Sequence, residues 1–376
     1  MPEIKTIHLN LHSSATAKPE ADHIDHQWPS TIFPHLQLNM IYSALLESSD
    51  EEESVRGLSP FFIYSTGSIQ VLCITDAEMV KEVGLCTSPN LGKPSYLSKD
   101  RGPLLGLGIL STSGSIWAHQ RKIIAPELYL DKVKSMVNLM VDSTTSTVES
   151  WEVGIKSEGQ IAGINVDEDL RRLSADIISR ACFGSNFSQG RHIFSKLRTL
   201  QKLMTNQTIG VPGSRHMPTK INREIWRLEK EIQSMILEVV KRRVEASYEK
   251  DLLQIILEGA KNYGDHVDNN QSLDMTRDKI IVDNWKNIYF AFHETTAITA
   301  SWSLMLLAAN PEWQARARAQ LAMVIQETLR LYPPAAFVIR EALEEIKLKH
   351  IVIPKGVDIQ IPISILHQIP SLWGSS

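Results

Sequence analysis

One long and mostly apolar run sets the strongest constraint on how this chain folds. It reads "WKNIYFAFHETTAITASWSLMLLAA" and lies in a segment whose pattern predicts a single helix over residues 276–309. Glu294, Thr295 and Thr296 stand side by side near its middle. The residues alone leave two interpretations open. They are polar residues tolerated in a core helix, or the helix passes a site where protons move.

The remaining pattern predicts a mainly α fold with a small β region. "FFIYSTG" and "SIQVLCIT" predict a hairpin, and "HIVIP" and "VDIQIPI" predict short strands near the end. Pro333 and Pro334 end the last predicted helix, because proline cannot continue one. Amphipathic patterns predict helices at 115–124, 131–152, 165–182, 190–205, 220–247, 249–261 and 312–331.

The chain is expected to contain one domain and a lead-in. Residues 1–58 are predicted to be poorly organised, since their acidic stretch "ESSDEEESVRG" has no apolar period and is typical of a solvated linker. Residues 59–376 are predicted to form the folded domain.

Composition excludes several classes of protein. The 376 residues carry a formal net charge of −4, so they lack the basic stripe typical of nucleic-acid-binding proteins. Three scattered cysteines, Cys73, Cys86 and Cys182, suit neither a disulfide framework nor a structural zinc site, and they favour a reducing compartment. No apolar run predicts a membrane-spanning helix, and the first residues do not resemble a signal peptide.

Three common motifs are rejected. "HETTA" begins like the zinc motif H-E-x-x-H, but its fifth position is Ala297, so no metal ligands are predicted there. "GLGILS" has only two of the three glycines of a dinucleotide-binding loop. No G-x-S-x-G elbow of a serine hydrolase occurs.

Two residue pairs are candidates for a site or for its support. In "QETLRLYPP", Glu327 and Arg330 are three residues apart on one helix face, and their apolar flanks predict a buried structural ion pair. In "GSIWAHQRKII", Trp117 and Arg121 are four apart. They form either an ordinary cation–π pair on the surface or a site for an anion.

Together these motifs resemble the haem-thiolate monooxygenases of the cytochrome P450 family. "WAHQR" is similar to the family's W-x-x-x-R, "AFHETT" to most of (A/G)-G-x-(D/E)-T-T, "ETLR" to E-x-x-R, and "HQIPSLWG" to H-x-D-P-x-L-W-G. The four motifs occur in the family's order between about residues 59 and 374. Three further segments, "RKIIAPELYLDKVKSMV", "IGVPGSR" and "NREIWRLEKEI", resemble a plant group that oxidises gibberellin-type diterpenoids.

The resemblance assigns a role to each of these motifs. Glu294 and Thr295 match residues that deliver protons to dioxygen above the haem iron. Glu327 and Arg330 match the pair that ties the core beneath the haem. The other matching residues fall into two groups: Trp117, Arg121 and Arg340 for the haem propionates, and Ala291, Phe292, Ala335, Phe337 and Val338 for the substrate pocket.

The same resemblance implies a reaction and its partners. It predicts NADPH-dependent hydroxylation or epoxidation of a hydrophobic small molecule, with haem as cofactor and electrons from an NADPH-cytochrome reductase. Members of the family reside on the endoplasmic reticulum and face the cytosol. The sequence predicts no membrane-anchoring helix, so we expect this chain to be cytosolic or peripheral.

Several departures from the family pattern predict an inactive, truncated member. The haem-ligand segment F-x-x-G-x-R-x-C-x-G does not occur, and none of the three cysteines has that context. Phe292 stands where the family has a glycine after Ala291; it lies three residues before Thr295, on nearly the same helix face, and would crowd the oxygen groove. Only "QLAM" stands where the family has a further helix and loop. The alternative is a non-catalytic product that binds a hydrophobic ligand or a partner protein.

Overall fold

The computed structural model describes residues 61–66, 68–86, 90–159, 162–183, 187–205, 213–245, 252–261, 276–314 and 320–373. The predicted lead-in, residues 1–58, lies outside the described residues. The described part is mainly helical with a small β region, as the sequence predicted.

Fourteen helices are considered below, numbered in chain order. Their bounds are α1 Ala77–Leu85, α2 Ser95–Lys99, α3 Gly102–Leu105, α4 Gly114–Ile124, α5 Leu130–Ser135, α6 Val137–Ser157, α7 Val166–Phe183, α8 Phe187–Thr205, α9 Lys220–Glu245, α10 Leu252–Lys261, α11 Arg277–Ala309, α12 Leu321–Leu331, α13 Ile363–Leu366 and α14 Pro370–Trp373. Single 3₁₀ turns lie at Ala125–Leu128 and Ser214–His216.

The strands form two sheets. Their bounds are β1 Phe61–Thr66, β2 Ile69–Ile74, β3 Leu91–Gly92, β4 Phe337–Ala342, β5 Ile346–Leu348, β6 Ile351–Ile353 and β7 Asp358–Pro362. The larger sheet has the order β1-β2-β7-β4-β3, and β5 pairs with β6. The predicted hairpin is confirmed, since β1 and β2 are antiparallel with Thr66 opposite Ile69. Strand β7 runs parallel to β2, with Asp358 opposite Val71.

Helix α11 matches its predicted bounds within one residue. It begins where the Thr276 side chain accepts a hydrogen bond from the Lys279 amide, a local N-cap that is independent of tertiary packing. Its first half is buried nearly all round, and the buried residues of the helix include six that are polar or charged. A helix buried on every side must find partners for such groups within the protein, and these partners shape the site described below.

Two hydrophobic cores hold the fold together. The larger one joins α8, α9, α10 and α11 through side chains such as Leu197, Ile232 and Ile281. The smaller one lies between α1 and the larger sheet, where Met79 packs with Ile74 and Ile359. Burial of side chains of this size stabilises a fold by about 1.5–3 kcal/mol each.

Two predicted helices differ from the structure. The segment 131–152 is two helices, α5 and α6, which part at Met136. The helix predicted over 312–331 is interrupted at Gln320: residues 311–314 are helical, residues 315–319 lie outside the described residues, and α12 begins at Leu321. Among the helices of the described ranges, none combines the length and apolarity needed to cross a bilayer.

Candidate functional site

Two cations lie beside one indole ring, and a third lies near one of them. On α4, the Arg121 guanidinium carbon lies 5.3 Å from the centre of the Trp117 ring. The Lys93 ammonium lies 5.7 Å from the same ring and donates a hydrogen bond to the Ile109 carbonyl. Arg340, on β4, is close enough for its charge to act on Lys93. We call Lys93, Trp117, Arg121 and Arg340 the cation cluster.

Among the described residues, no carboxylate forms an ion pair with the cation cluster. Burial lowers the pKa of Lys93 to about 8, and the charges of Arg340 and Arg121 act in the same direction. Burial also lowers the pKa of Arg340. None of the ion pairs found among the described residues includes Lys93, Arg121 or Arg340. Lys93 and Arg340 are partly buried, and Arg121 is exposed beside Trp117. Cations without a paired acid are complementary to an anion, so the geometry favours the anion-site interpretation of Trp117 and Arg121.

Lys93 was missed by sequence reasoning. It stands in the turn-like stretch "LGKPS", where nothing in the sequence distinguishes it from an ordinary surface lysine. Its amide also donates a hydrogen bond to Ser113 Oγ at 2.7 Å, so two contacts fix its place. Only these long-range contacts distinguish it.

Glu294 lies in a buried ion pair. Its carboxylate accepts a hydrogen bond from the Arg171 guanidinium on α7, and both side chains are 2% exposed. The neighbouring His293 Nδ1 lies 3.2 Å from the other carboxylate oxygen. Arg171 also donates from Nε to Asp167 Oδ2 at 2.8 Å. Glu294 is therefore tied to α7 rather than open to solvent.

The surroundings keep Glu294 ionised. Burial raises the pKa of this carboxyl, but the hydrogen bond from His293 and the charge of Arg171 outweigh burial, and the pKa lies below its usual value. Thr295 is partly exposed, and its hydroxyl donates to the Ala291 carbonyl at 2.6 Å. Thr296 is exposed. The three adjacent polar residues thus lie in three different environments.

Arg171 was also missed, although the sequence carried a signal for it. In "VDEDLRRLSADII", Arg171 shares a helix face with Leu170, Ser174 and Ile178, which are all buried. A charged residue on an apolar face predicts a buried partner of opposite charge. The identity of that partner depended on how α7 packs against α11.

A separate polar cavity of about 610 Å³ lies between α6, α7, α8 and α11. Its walls include Arg172, Arg180, Arg198 and the hydroxyls of Ser143 and Thr147. It shares no residue with the cation cluster. Charged walls do not suit a hydrophobic substrate, so we do not assign the substrate to this cavity.

The predicted substrate residues lie on two elements. Ala291 and Phe292 are partly buried on α11, and Phe292 packs against the larger core. Ala335 precedes β4, which begins at Phe337 and continues through Val338, and all three are partly buried.

The expected burial of the Glu327–Arg330 pair is wrong. The two side chains do form an ion pair on α12, but the Glu327 side chain is 53% exposed and that of Arg330 is 14% exposed. Apolar neighbours at Ile325 and Leu329 misled the prediction, because they are themselves 40% and 37% exposed. Arg330 also donates to the His367 carbonyl at 3.0 Å, which links α12 to the segment after α13.

Fold and motifs together define a haem protein of the cytochrome P450 type. The family model "Cytochrome P450" matches residues 52–375, and the chain belongs to this family. Two solved structures share the fold: retinoic acid-bound cyanobacterial CYP120A1 (TM-score 0.68, 19% identity, covering 88% of this chain and 76% of that one) and a zebrafish cytochrome P450 with progesterone (TM-score 0.69, 17% identity, 91% and 82%).

The relatives in sequence are plant proteins, which confirms the predicted plant type. The chain is 46% identical to cytochrome P450 714C2 of Oryza sativa subsp. japonica, over 100% of this chain and 73% of that protein. It is 44% identical to cytochrome P450 714B3 of Zea mays (84% and 62%) and 40% identical to cytochrome P450 714A2 of Arabidopsis thaliana (93% and 69%). The chain thus spans 62–73% of the length of these relatives.

Haem is the cofactor of this family, and the cation cluster fits one end of it. Haem carries two propionate groups. Lys93 and Arg340 offer partly buried positive charge, Arg121 adds exposed positive charge, and none of the three forms an ion pair among the described residues. The Trp117 indole N–H can add a donor. The described cysteines do not suit the iron. Cys73 is buried within β2, where burial raises its thiol pKa to about 12, and Cys86 is exposed beyond α1.

Proposed function

We propose that this chain is part of a haem-dependent monooxygenase that acts on a hydrophobic small molecule, with gibberellin-type diterpenoids as the substrate class. The observation that carries the proposal is the cation cluster, which forms no ion pair among the described residues, in a chain of the cytochrome P450 family. In the overall reaction, one oxygen atom of O₂ enters a C–H bond and the other leaves as water. Two electrons from NADPH, passed on by a cytochrome reductase, and two protons balance the reaction.

The protein's own groups would bind and orient in this reaction. Lys93, Arg121 and Arg340 would hold the two propionates, while Trp117 would cover that edge. When bound through a thiolate, haem supplies the activation of oxygen. Ala291, Phe292 and the start of β4 would form apolar walls for the substrate.

Thr295 and Glu294 would handle protons in different ways. The Thr295 hydroxyl donates to the Ala291 carbonyl and keeps its lone pairs free to accept from water or substrate. Glu294 stays ionised through Arg171 and His293, so it accepts a proton only when one of these contacts loosens. We therefore propose that Thr295 hydrogen-bonds directly to water or substrate. Glu294 would act as a proton acceptor only after its contact with Arg171 or His293 opens.

We further propose that residues 1–376 do not perform the reaction by themselves. Cys73 is a buried thiol with a raised pKa, and none of the three cysteines lies in the family's haem-ligand context. Without a thiolate, the electron push toward O–O cleavage is lacking. The whole protein would act on the endoplasmic reticulum, facing the cytosol, and this chain alone would be at most peripheral. A carbonate-washed membrane pellet that retains the chain would contradict this placement.

The spectrum of the reduced protein under carbon monoxide tests the proposal. Residues 1–376 with haemin should give no band of the thiolate-ligated type. The same chain extended by an F-x-x-G-x-R-x-C-x-G segment should give that band and should oxidise a diterpenoid acid with NADPH and reductase. Failure of the extended chain to bind haem would overturn the proposed function. A thiolate band from residues 1–376 alone would overturn only the proposed inactivity.

Phe292→Gly in the extended chain tests the suspected crowding beside Thr295. Turnover should rise in this variant, while the thiolate band stays unchanged. If the extended chain already shows full turnover with Phe292 in place, the suspicion about this side chain is refuted.

A further inference from the structure

A row of buried polar side chains lines one face of α11. Asp283, Asn284 and Asn287 are exposed by 4%, 1% and 0%. Three such groups in a helix interior are costly unless each finds a partner. Their partners include backbone groups of the segment 103–112, which begins with the last residues of helix α3 and which we call the glycine-rich loop. Asp283 also pairs with the buried Lys286 ammonium at 2.8 Å.

The contacts between this row and the glycine-rich loop follow a regular pattern. The loop amide of Leu107 donates to Asp283 at 2.8 Å, that of Ile109 to Asn284 at 3.0 Å, and that of Leu110 to Asn287 at 2.7 Å. In return, Asn287 Nδ2 donates to the Leu105 carbonyl at 2.7 Å. The side chains of α11 thus satisfy loop amides that have no helix or sheet to pair with.

Two glycines allow this close approach. Gly106 has φ +53°, and a Cβ placed there would lie 2.1 Å from the Asp283 carboxyl carbon. A Cβ at Gly108 would lie 2.5 Å from the Asn287 side-chain amide. Only glycine fits at either position, so loop and helix are matched to each other.

The glycine-rich loop also touches the cation cluster. The Ile109 carbonyl accepts from the Lys93 ammonium, and Lys93 N–H donates to Ser113, just past the loop. On α4, Gln120 Nε2 donates to the Leu107 carbonyl at 2.8 Å. One loop therefore connects α11 to both Lys93 and the helix that carries Trp117.

We propose that Asp283, Asn284 and Asn287 are positioning residues for the cation cluster. By fixing the glycine-rich loop, they hold the Ile109 carbonyl where it keeps the Lys93 ammonium beside Trp117. Only one part of this proposal rests on the proposed function, namely that the anion bound by the cation cluster is the pair of haem propionates. The loop contacts and the placement of Lys93 stand independently of it.

Hydrogen exchange and lysine labelling test the positioning without any ligand. In Asn287→Leu, the Leu110 amide should exchange at least about tenfold faster than in the unchanged chain, because its buried acceptor is lost. Acetic anhydride should label Lys93 several-fold faster, as read by mass spectrometry. Asp283→Asn keeps an acceptor for Leu107 but removes the carboxylate that pairs with the buried Lys286, so both rates should change less than they do in Asn287→Leu.

Asn222→Leu is the matched control. Asn222 is 5% exposed, and its amide donates to the carbonyls of Ser214 and Met217, in a different loop. This variant should lose a similar amount of stability but leave exchange at Leu110 and labelling of Lys93 unaltered. If it changes both rates as much as Asn287→Leu does, the positioning role is refuted in favour of general loosening.

Porphyrin binding tests the link to the dianion. Metal-free protoporphyrin IX should bind the chain more tightly than its dimethyl ester, and Asn284→Ala or Asn287→Leu should bring the two affinities to within about twofold of each other. Retained discrimination in both variants would overturn the positioning role. If the unchanged chain binds protoporphyrin IX and its dimethyl ester equally, the anion site of the proposed function is overturned. The exchange and labelling results would still test whether the α11 residues position the loop.

Discussion

Arg171 on α7 and Glu294 on α11 form an ion pair in which each side chain is only 2% exposed. Arg171→Met should lower the free energy of unfolding by about 3–5 kcal/mol, because it leaves a buried carboxylate uncompensated. Arg172→Met is the control, since the Arg172 side chain is 72% exposed, and it should change stability by no more than about 0.5 kcal/mol. Urea titration measures both, and equal losses in the two variants would contradict the buried pair.

Asp358 makes stability fall as pH rises. Burial raises its pKa to about 7, and the charge of Glu341, directly opposite on β4, adds to the shift. An acid whose folded pKa is raised binds its proton more tightly in the folded state, so stability is lost between pH about 4 and about 7. Asp358→Asn should flatten the melting temperature across this window and raise it at pH 8.

Asp76→Asn should show the opposite pH dependence of the melting temperature from Asp358→Asn. The Met79 amide donates to Asp76, and Lys349 lies 3.1 Å away, so its pKa is lowered. Its stabilising contribution is present at neutral pH and fades as pH falls below about 4. The effect of this substitution should therefore be largest at neutral pH. If the Asp358→Asn profile keeps the slope of the unchanged chain, the raised pKa of Asp358 is wrong.

Gly106→Ala should be among the more harmful small substitutions. Its φ of +53° and the 2.1 Å approach to Asp283 both oppose a Cβ, and we expect a loss of about 2–4 kcal/mol. Gly84→Ala is the control, because a Cβ there meets nothing within 4 Å. In helix α1 it should stabilise by about 0.5–1 kcal/mol. Thermal melts of the two variants should move in opposite directions.

Lys93 should make carboxylate binding pH-dependent. With its pKa near 8 in the ligand-free chain, Lys93 loses its charge as pH rises through this value, so affinity for protoporphyrin IX should decline between pH 7 and 9. Lys93→Met should bind more weakly at pH 7 and show a flatter profile. Fluorescence titrations check this, and the dimethyl ester should show no such decline. An unaltered profile in Lys93→Met would exclude Lys93 from the anion site.

Glu327→Ala should cost no more than about 1 kcal/mol, because the Glu327 side chain is 53% exposed and exposed ion pairs contribute little. Arg330→Ala should cost more, since Arg330 also donates to the His367 carbonyl and lies 5.8 Å from the Trp373 ring. Urea titration of both variants checks the order. A larger loss for Glu327→Ala would restore the original expectation of a buried pair.

Local signals explain what could be predicted from the sequence. The N-cap at Thr276 and the apolar run are features of neighbouring residues, and they are sufficient to predict α11. The turn between β1 and β2 is equally local. Trp117 and Arg121 are one helical turn apart, so their proximity follows from helix geometry. Arg340 entered only through the family resemblance.

The rest depends on contacts between distant segments. Lys93 belongs to the site because the glycine-rich loop places the Ile109 carbonyl beside it. Glu294 finds Arg171 because α7 packs against α11. Whether Glu327 is buried depends on what covers α12, and apolar neighbours alone do not decide this. Periodicity describes which face of a helix is apolar but not which segment covers that face.

The parallel pairing of β2 with β7 bears on how the chain folds during synthesis. Val71 and Asp358 are partners in the sheet although almost the whole described sequence separates them, and β7 lies between β2 and β4. The β2 edge of the β1–β2 hairpin therefore stays unpaired until β7 has left the ribosome. The helical core can assemble earlier. Ribosome-stalled chains that end before residue 358 should show protected helices and a protease-sensitive hairpin at Phe61–Ile74.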